Sequence, residues 1–350
     1  MELDYLQALM GGTLEETPTA SYRDIWVIAE TRHGALARIT LELLGRAREL
    51  ADSLGVRLAA VLIGHGVSAL GAQAIAHGSD IVYVADAAVL AEYRTETYVA
   101  AISALIQERK PEIVLLGATS LGRDLAPALA GRLGTGLLAE CVSLDIDESE
   151  RLLLGTRRTY GGLMLETVVC PKARPQIATV LPGCLRALPA DRYRQGTTEE
   201  VPVALQEGEL VATIEPAEAP RQELPLAEAR VIVSGGRGIG GEDGFVQIKE
   251  LAEVLNATLA ASRSAVEFGW AERQRMVDVA GTLVHPDLYV AVGISGAFPH
   301  RMATRGTRCL VAINKDPRAP IFSRATYGIV GDWREVVPAL IKAITEAKEA

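Results

Sequence analysis

From Asp24 onward, short apolar runs alternate with longer stretches in which apolar residues recur every three or four positions. The runs DIWVIAE, VRLAAVLIG, DIVYVAD and EIVLLGA are bounded by polar residues and glycine. Between them, LELLGRARELADSLG, a short segment ending near His77 and Gly78, the stretch from Tyr98 to Glu108 and the segment after Gly122 carry the helical period. Consecutive apolar positions, as in IVLLGA, suit strands covered on both faces, so the series predicts a parallel sheet built from right-handed crossovers. After CVSLDID (141–147) the rhythm changes, because RLLLGTRRTYGG, LMLETVVC and PQIATVLPG follow one another with no helical segment between them. These read as antiparallel additions at the sheet edge. From about Leu185 to Arg230 the chain is rich in Pro and Glu, the composition of an extended connector. ARVIVSGGRGIGGEDGF then opens a second α/β unit, with helix FVQIKELAEVLN, strands ATLAAS, LYVAVGIS, RCLVAINKD and YGIVGD, and a closing helix WREVVPALIKAITEAKEA.

The prediction is thus a two-domain α/β protein, which 350 residues allow without disulfides or metals. An apolar content of 49% with only 5% aromatics reflects a surplus of Ala, Val, Leu and Ile, which favours α/β over an all-β sandwich. A net charge of −9 and the lack of any Lys/Arg stripe exclude nucleic acid as a partner. Cys141, Cys170, Cys184 and Cys309 are widely spaced and form no CxxC, so neither zinc nor an iron–sulfur cluster is expected. MELDYLQALMGG lacks a basic leader and no window approaches a membrane span, so the expected location is the cytoplasm.

The sharpest local signal is Ser234 to Gly241, SGGRGIGG, set between an apolar strand and a helix. Glycines there let the backbone approach a pyrophosphate, whose charge is met by N–H groups at the helix start. Gly236, Gly238 and Gly241 satisfy GxGxxG, yet the acidic ribose contact expected about twenty residues on is absent, with Ser262 and Arg263 in its place. Gly293–Ala297, Asn314–Pro317 and Asp332 follow the next strands in the same way. Four strand ends therefore carry small or hydrogen-bonding residues, and nothing resembles a nucleophile with its base. The pattern is one of binding.

In order and without evident gaps, VSGGRG, ASRSAV, PDLYVAVGISGA, VAINKDPRAPIF and YGIVGD resemble the signature of the alpha subunit of electron-transfer flavoproteins. The likeness extends to LGATSLGRDLAPALAGRLGTGLLAECVSLDID, TRRTYGGLMLETVV and RPQIATVLPG, which are similar to the subgroup with nitrogen-fixation-linked and electron-bifurcating members. It covers the chain apart from its first twenty residues and the connector. The resemblance implies an N-terminal extension (1–22), a nucleotide-hydrolase-like parallel-sheet domain making the subunit contact (23–200), a linker (201–229) and a Rossmann-like FAD-binding domain ending in a helix (230–350).

Carried over residue by residue, the resemblance makes Arg237 a flavin-side contact, Gly238 and Ser262 further cofactor contacts, and Arg263 a neighbour of the isoalloxazine. The backbone of Val277, Asp278, Val279, Ala280 and Gly281 would lie along the flavin. Ser295, Gly296, Ala297, Phe298, Pro299 and His300 would run beside the isoalloxazine and pyrophosphate, with His300 at the pyrimidine edge. Asn314 and Asp332, with Trp333 beside it, would meet the ADP half. Arg263 and His300 would act as basic tuners of the flavin potential.

The departures are specific. Val279-Ala280-Gly281-Thr282 stands where the family reads QTGK, so the hydroxyl that would donate to flavin N5 is missing. FPH replaces IQH, and Pro299 removes a backbone donor, which predicts a displaced His300. Leu163 and Leu181 replace the Asn and Arg common in the bifurcating subgroup. The GATSLGRD turn reads either as a phosphate-binding helix start or as a plain connection facing the partner subunit.

An alpha subunit implies a beta subunit holding AMP or a second FAD. It also implies exchange with an acyl-CoA or other flavin dehydrogenase, a membrane quinone oxidoreductase, or, in bifurcating members, NADH. The chain would then be an electron carrier, not an enzyme by itself and not membrane-embedded, with the flavin domain swivelling on its connector. Two other readings stay open. A nicotinamide-dependent dehydrogenase would use the same glycines and need an acid or base in its cleft. A flavin-free nucleotide-binding subunit would account for Ala280 and Pro299.

Overall fold

The computed structural model describes residues 21–32, 34–160, 164–204 and 226–349, and these belong to two compact units, 1–217 and 218–350. In the first unit, strand β1 (Ile25–Ala29) leads through a small hairpin, β2 (Thr31–Arg32) and β3 (Ala35–Leu36), into helix α1 (Arg38–Leu54). Next come β4 (Leu58–Gly64), α2 (Gly71–Ala76), β5 (Ile81–Asp86), α3 (Thr95–Arg109), β6 (Ile113–Gly117) and α4 (Ser120–Leu133). The chain ends this unit with β7 (Leu137–Asp147), β8 (Leu152–Thr159), β9 (Met164–Val168), β10 (Gln176–Val180) and β11 (Thr197–Glu200). The nine main strands form one sheet in the order β11-β5-β4-β1-β6-β10-β7-β8-β9, parallel except where β8 pairs with β7 and β9 with β8.

Strands β1, β4 and β6 are buried along their whole length, as their unbroken apolar runs predict. Each face is covered: α1 supplies Leu43, Leu44, Ala47 and Leu50 to one core, and α3 and α4 supply Ile102, Ile106, Leu125 and Leu129 to the other. Expected antiparallel additions are found in β8 and β9, but β10 is a correction. PQIATVLPG does not add to the edge: β10 lies between β6 and β7, parallel to both and fully buried. Its run of apolar and small residues belongs to a two-sided interior strand.

The connector reading is also shortened. Thr197–Glu200 pairs in parallel with β5, Arg194 Nη2 donates to Asp80 Oδ1 at 2.7 Å, and the Asp191 amide donates to Ala76 O at 2.8 Å. This stretch is part of the first unit. Residues 205–225 of the linker, most of the 1–22 extension and Leu163 lie outside the described residues. Leu181 is buried at the end of β10. In the GATSLGRD turn, Thr119 Oγ1 accepts from the Gly122 amide and donates to Glu30 Oε1 at 2.8 Å, so the start of α4 is capped from within.

The second unit runs β12 (Val231–Gly235), α5 (Glu242–Leu255), β13 (Thr258–Ser262), α6 (Arg263–Glu267), β14 (Met276–Val277), β15 (Leu288–Val292), α7 (Phe298–Ala303), β16 (Cys309–Asn314), β17 (Tyr327–Val330) and α8 (Trp333–Glu349). All six strands are parallel, in the order β14-β13-β12-β15-β16-β17. Counted within the unit this is 3-2-1-4-5-6, the doubly wound dinucleotide-binding order, and its direction reverses between β12 and β15. Strand β14 has two residues and no sequence signal announced it. Among the described residues no helix is long and apolar enough to cross a membrane.

Candidate functional site

In an open parallel sheet the ligand crevice lies outside the carboxyl ends of the strands, at the point where the winding reverses. Here that point is a seam of glycines. The Gly236 amide donates to Val292 O at 2.9 Å and the Gly238 amide to Gly293 O at 2.8 Å, which draws the turn after β12 onto the turn after β15. A Cβ on Gly236 would stand 2.4 Å from Gly293 O, and one on Gly238 would stand 2.7 Å from the same oxygen. These glycines therefore serve backbone-to-backbone packing, and the amides of 236 and 238 are spent on the protein rather than kept for a pyrophosphate. The third glycine of the GxGxxG, Gly241, has nothing within 4 Å of its Cβ position. Gly244 provides the close approach instead, its Cβ position 2.2 Å from Ile239 Cγ2.

Two groups of side chains flank this seam. On the β16–β17 wing, Gly238, Gly293, Asn314, Lys315, Asp332, Trp333 and Arg334 line a small cavity of about 40 Å³. Asn314 is locked, its Nδ2 donating to Ile294 O at 2.9 Å and its Oδ1 accepting from the Asp316 amide at 3.0 Å. Asp332 Oδ1 accepts from the Arg334 amide at 2.9 Å, and the Arg334 guanidinium lies over the Trp333 ring, 5.0 Å from its centroid. Trp333 is 8% exposed, and its Nε1–H, buried, has no hydrogen-bond partner among the described residues. An orphaned donor and two cations, Lys315 and Arg334, fit an acceptor-rich, anionic ligand such as a dinucleotide.

On the β13–β14 wing stand Ser262, Arg263, Val277, Asp278 and His300. Arg263 begins α6 and pairs with Glu267, Nε to Oε1 2.7 Å, one helical turn on. That hydrogen bond and charge, and to a lesser degree Asp278, hold the guanidinium above its ordinary pKa. Asp278 is 4% exposed and its Oδ1 accepts from the Ala280 amide at 3.0 Å. The amide of Gly281 donates to Asp278 O and that of Thr282 to Met276 O, so the 278–282 turn is closed on itself.

His300 requires a correction. It is 4% exposed, its Nδ1–H donates to Val277 O at 2.9 Å, and its Nε2 accepts from the Tyr289 hydroxyl at 3.1 Å. Burial pushes the imidazole down to about 4, against the smaller opposing effects of the Val277 carbonyl and Asp278. Near neutral pH His300 is a fixed, uncharged residue, so it does not supply the second positive charge expected of a tuner. Nor does Pro299 disturb it. Pro299 occupies the first turn of α7, where its missing N–H interrupts no helical bond. Downstream, Gly296 sits at φ +80° with its Cβ position 2.4 Å from Ile321 N, and the Ile321 amide donates to Ser295 O at 3.0 Å. The Ser295–His300 segment is thereby pinned against the turn at Pro320–Arg324.

The two wings lie five strand steps apart, about 24 Å at ordinary strand spacing, which is room for two nucleotides joined through their phosphates. Of the residues expected at the cofactor, Gly238, Asn314, Asp332 and Trp333 share the cavity, while Val277 and His300 are joined by a hydrogen bond. Arg263 and Asp278 are linked to that wing electrostatically. Arg237 follows Gly236 in the central turn, and Val279 and Phe298 are half-exposed. Tyr289, Glu267 and Arg334 were missed. Glu267 was legible as an i,i+4 partner of Arg263, whereas nothing in LYVAV separates an inward polar Tyr289 from its apolar neighbours. The four cysteines are free and, among the described residues, no cluster suited to a metal occurs.

Fold and site together define a dinucleotide-binding α/β protein. Residues 25–206 match the electron transfer flavoprotein domain and residues 225–305 the electron transfer flavoprotein FAD-binding domain. The chain is 48% identical over 328 residues to the electron transfer flavoprotein subunit alpha of Thermoanaerobacterium thermosaccharolyticum, covering 93% of this chain and 99% of the relative. It is 44% identical to protein FixB of Clostridium saccharobutylicum (94% and 98% covered) and 40% identical to protein FixB of Rhizobium meliloti (94% of each). The chain belongs to the electron transfer flavoprotein alpha-subunit family, and its C-terminal unit is an FAD-binding domain.

The expected place of Ala280 beside the flavin can be tested. Threonine at this position is expected to restore one donor toward the flavin, worth about 1 kcal/mol, or some tens of millivolts for one electron. Stepwise reductive titration of an Ala280→Thr variant reads this directly, and an unchanged profile refutes it.

Proposed function

We propose that this chain is the FAD-carrying half of a two-subunit electron carrier. One FAD lies along the carboxyl edge of the β14–β17 sheet, and the beta subunit holds AMP or a second FAD. The observation that carries the reading is the lined-up edge itself: a 3-2-1-4-5-6 sheet whose strand ends bear a glycine seam, an orphaned Trp333 donor and locked polar side chains. On this reading Gly238, Asn314, Asp332 and Trp333 hold the ADP half. Arg237, Ser262, Arg263, the turn Val277–Gly281 and the segment Ser295–His300 hold the flavin half. When bound, FAD supplies one- and two-electron chemistry; the protein orients it, shields it and sets its electrostatic surroundings.

The finer assignment follows the family. The donor is a flavin dehydrogenase, such as an acyl-CoA dehydrogenase, or NADH through the beta subunit, and the acceptor is a quinone oxidoreductase or another carrier. We place the domain limits at 23–200 and 230–350 with the linker over 201–229, and the complex in the cytoplasm. Co-purification with the beta subunit, followed by counting flavins per heterodimer, tests the assignment. One flavin marks a simple carrier and two a bifurcating architecture, whereas a colourless protein that binds NAD or AMP alone overturns the reading.

The Arg263 charge bears on the same site. Arg263→Ala is expected to lower the flavin potential, but by less than the Ala280→Thr shift. The guanidinium is 56% exposed and already paired with Glu267, so solvent and its partner screen it. A potential that does not fall would remove Arg263 from the flavin wing.

A further inference from the structure

Asp278 places a carboxylate in the interior of the flavin wing with no cation to match it. The residue follows β14 directly and is 4% exposed, as deeply buried as His300. Among the described residues it forms no ion pair. The cation coupled to it, Arg263, has its own salt bridge to Glu267, and burial keeps His300 neutral where it lies between Val277 O and Tyr289. The charges of Arg263 and Glu267 cancel, His300 contributes none, and the carboxylate is left over. Its only recorded hydrogen bond comes from the Ala280 amide, and the Gly281 and Thr282 amides are likewise committed within the turn. Three amides of the turn are thus committed within it, and one of them meets the carboxylate. A carboxylate is expensive to bury without a partner, and such groups concentrate where a site needs their field.

We propose that the buried carboxylate of Asp278 lowers the reduction potential of the flavin bound at this edge. The proposal rests on the isoalloxazine lying at the β13–β14 wing, as the proposed function has it. Each electron taken up by the ligand adds negative charge there, and a fixed negative charge in a poorly screened interior opposes that uptake. It acts in the opposite sense to Arg263, so this wing holds its ligand between a solvent-exposed positive charge and a buried negative one. A carrier with this balance is a stronger reductant than one lacking the carboxylate.

Asp278→Asn is the informative substitution, because asparagine keeps an oxygen for the Ala280 amide and removes only the charge. The midpoint potential of the FAD-loaded heterodimer is measured by equilibration with redox dyes, at low salt and in 1 M salt. The expected result is a tenfold or larger gain in the equilibrium constant for taking up one electron, an upward shift of about 59 mV or more. The shift should persist at 1 M salt, since a buried charge escapes a screening length of about 3 Å. Asp278→Ser, which also retains a short acceptor, repeats the measurement if the asparagine variant fails to hold flavin. An unchanged potential in a flavin-loaded variant, or a shift abolished by salt, overturns the role of Asp278 alone. A wild-type heterodimer that carries no FAD overturns the parent reading, and this inference with it.

Discussion

A Gly236→Ala chain is expected to lose at least tenfold in FAD affinity and to unfold with about 2 kcal/mol less stability. The added methyl group meets Gly293 O at 2.4 Å, Ile294 Cγ1 at 2.6 Å and Gly293 C at 2.8 Å, and two of these atoms are backbone. Side chains can turn aside, but a carbonyl that accepts from the Gly238 amide cannot do so without opening the β12–β15 seam. Overpacking of this kind costs about 1–3 kcal/mol. Because the seam forms the floor of the crevice, the same displacement moves the Gly238 and Gly293 walls of the cavity near Asn314 and Trp333. Flavin-fluorescence titration and denaturant unfolding measure both effects. Gly241→Ala, with no atom within 4 Å of the new methyl group, is the matched comparison and should leave both nearly unchanged. If the two variants behave alike, the seam is not what shapes the site.

The second large effect is a loss of stability in mild acid that His300 alone accounts for. Unfolded, its imidazole takes up a proton as the pH falls below its ordinary 6.5; folded, it resists until about 4. A group whose folded pKa is depressed in this way stabilises the native state in its neutral form. The contribution is complete above pH 6.5 and drains away as the pH drops toward 4. At about 1.4 kcal/mol for each pH unit, this amounts to roughly 2 kcal/mol at pH 5 and roughly 3 kcal/mol at pH 4. Urea unfolding of the wild type and of His300→Gln between pH 7 and pH 4 isolates it, since carboxylates titrate equally in both. Parallel stability curves would show that His300 titrates freely and is not sealed between Val277 and Tyr289.

Both effects depend on contacts that join residues far apart in sequence, and this marks how much of the protein was legible beforehand. The alternation of apolar runs with helical stretches predicted the two long helices and five of the six strands of the second unit, but not the short helices α6 and α7 or the two-residue β14, which are too brief to carry a period. The strand-end positions of Gly236, Gly293, Asn314 and Asp332 were also legible, because a turn directly after an apolar run falls at a strand's carboxyl end in any parallel sheet. Chemistry at those positions was less so. The glycines were read as donors to a pyrophosphate, and two of their amides are bound to the neighbouring turn. Pro299 was read as a disruption, yet it opens a helix, where a missing N–H costs nothing. His300 was read as basic, and its charge is set by a burial beside Tyr289 that the ten intervening residues do not reveal.

The sequence by itself determined the class of protein: two α/β units, a glycine-rich turn between strand and helix, and a family signature in order. These are local properties, since periodicity reports which side of a segment is buried and turn residues report where it ends. Only the tertiary structure decided that β10 enters the middle of its sheet, that residues 197–200 complete the first unit's far edge, and that the second sheet reverses between β12 and β15. It also decided the neutral state of His300 and the burial of Asp278. Strand order and the charge of a buried group both depend on which distant segments come to lie alongside, because pairing and desolvation are made by neighbours in space.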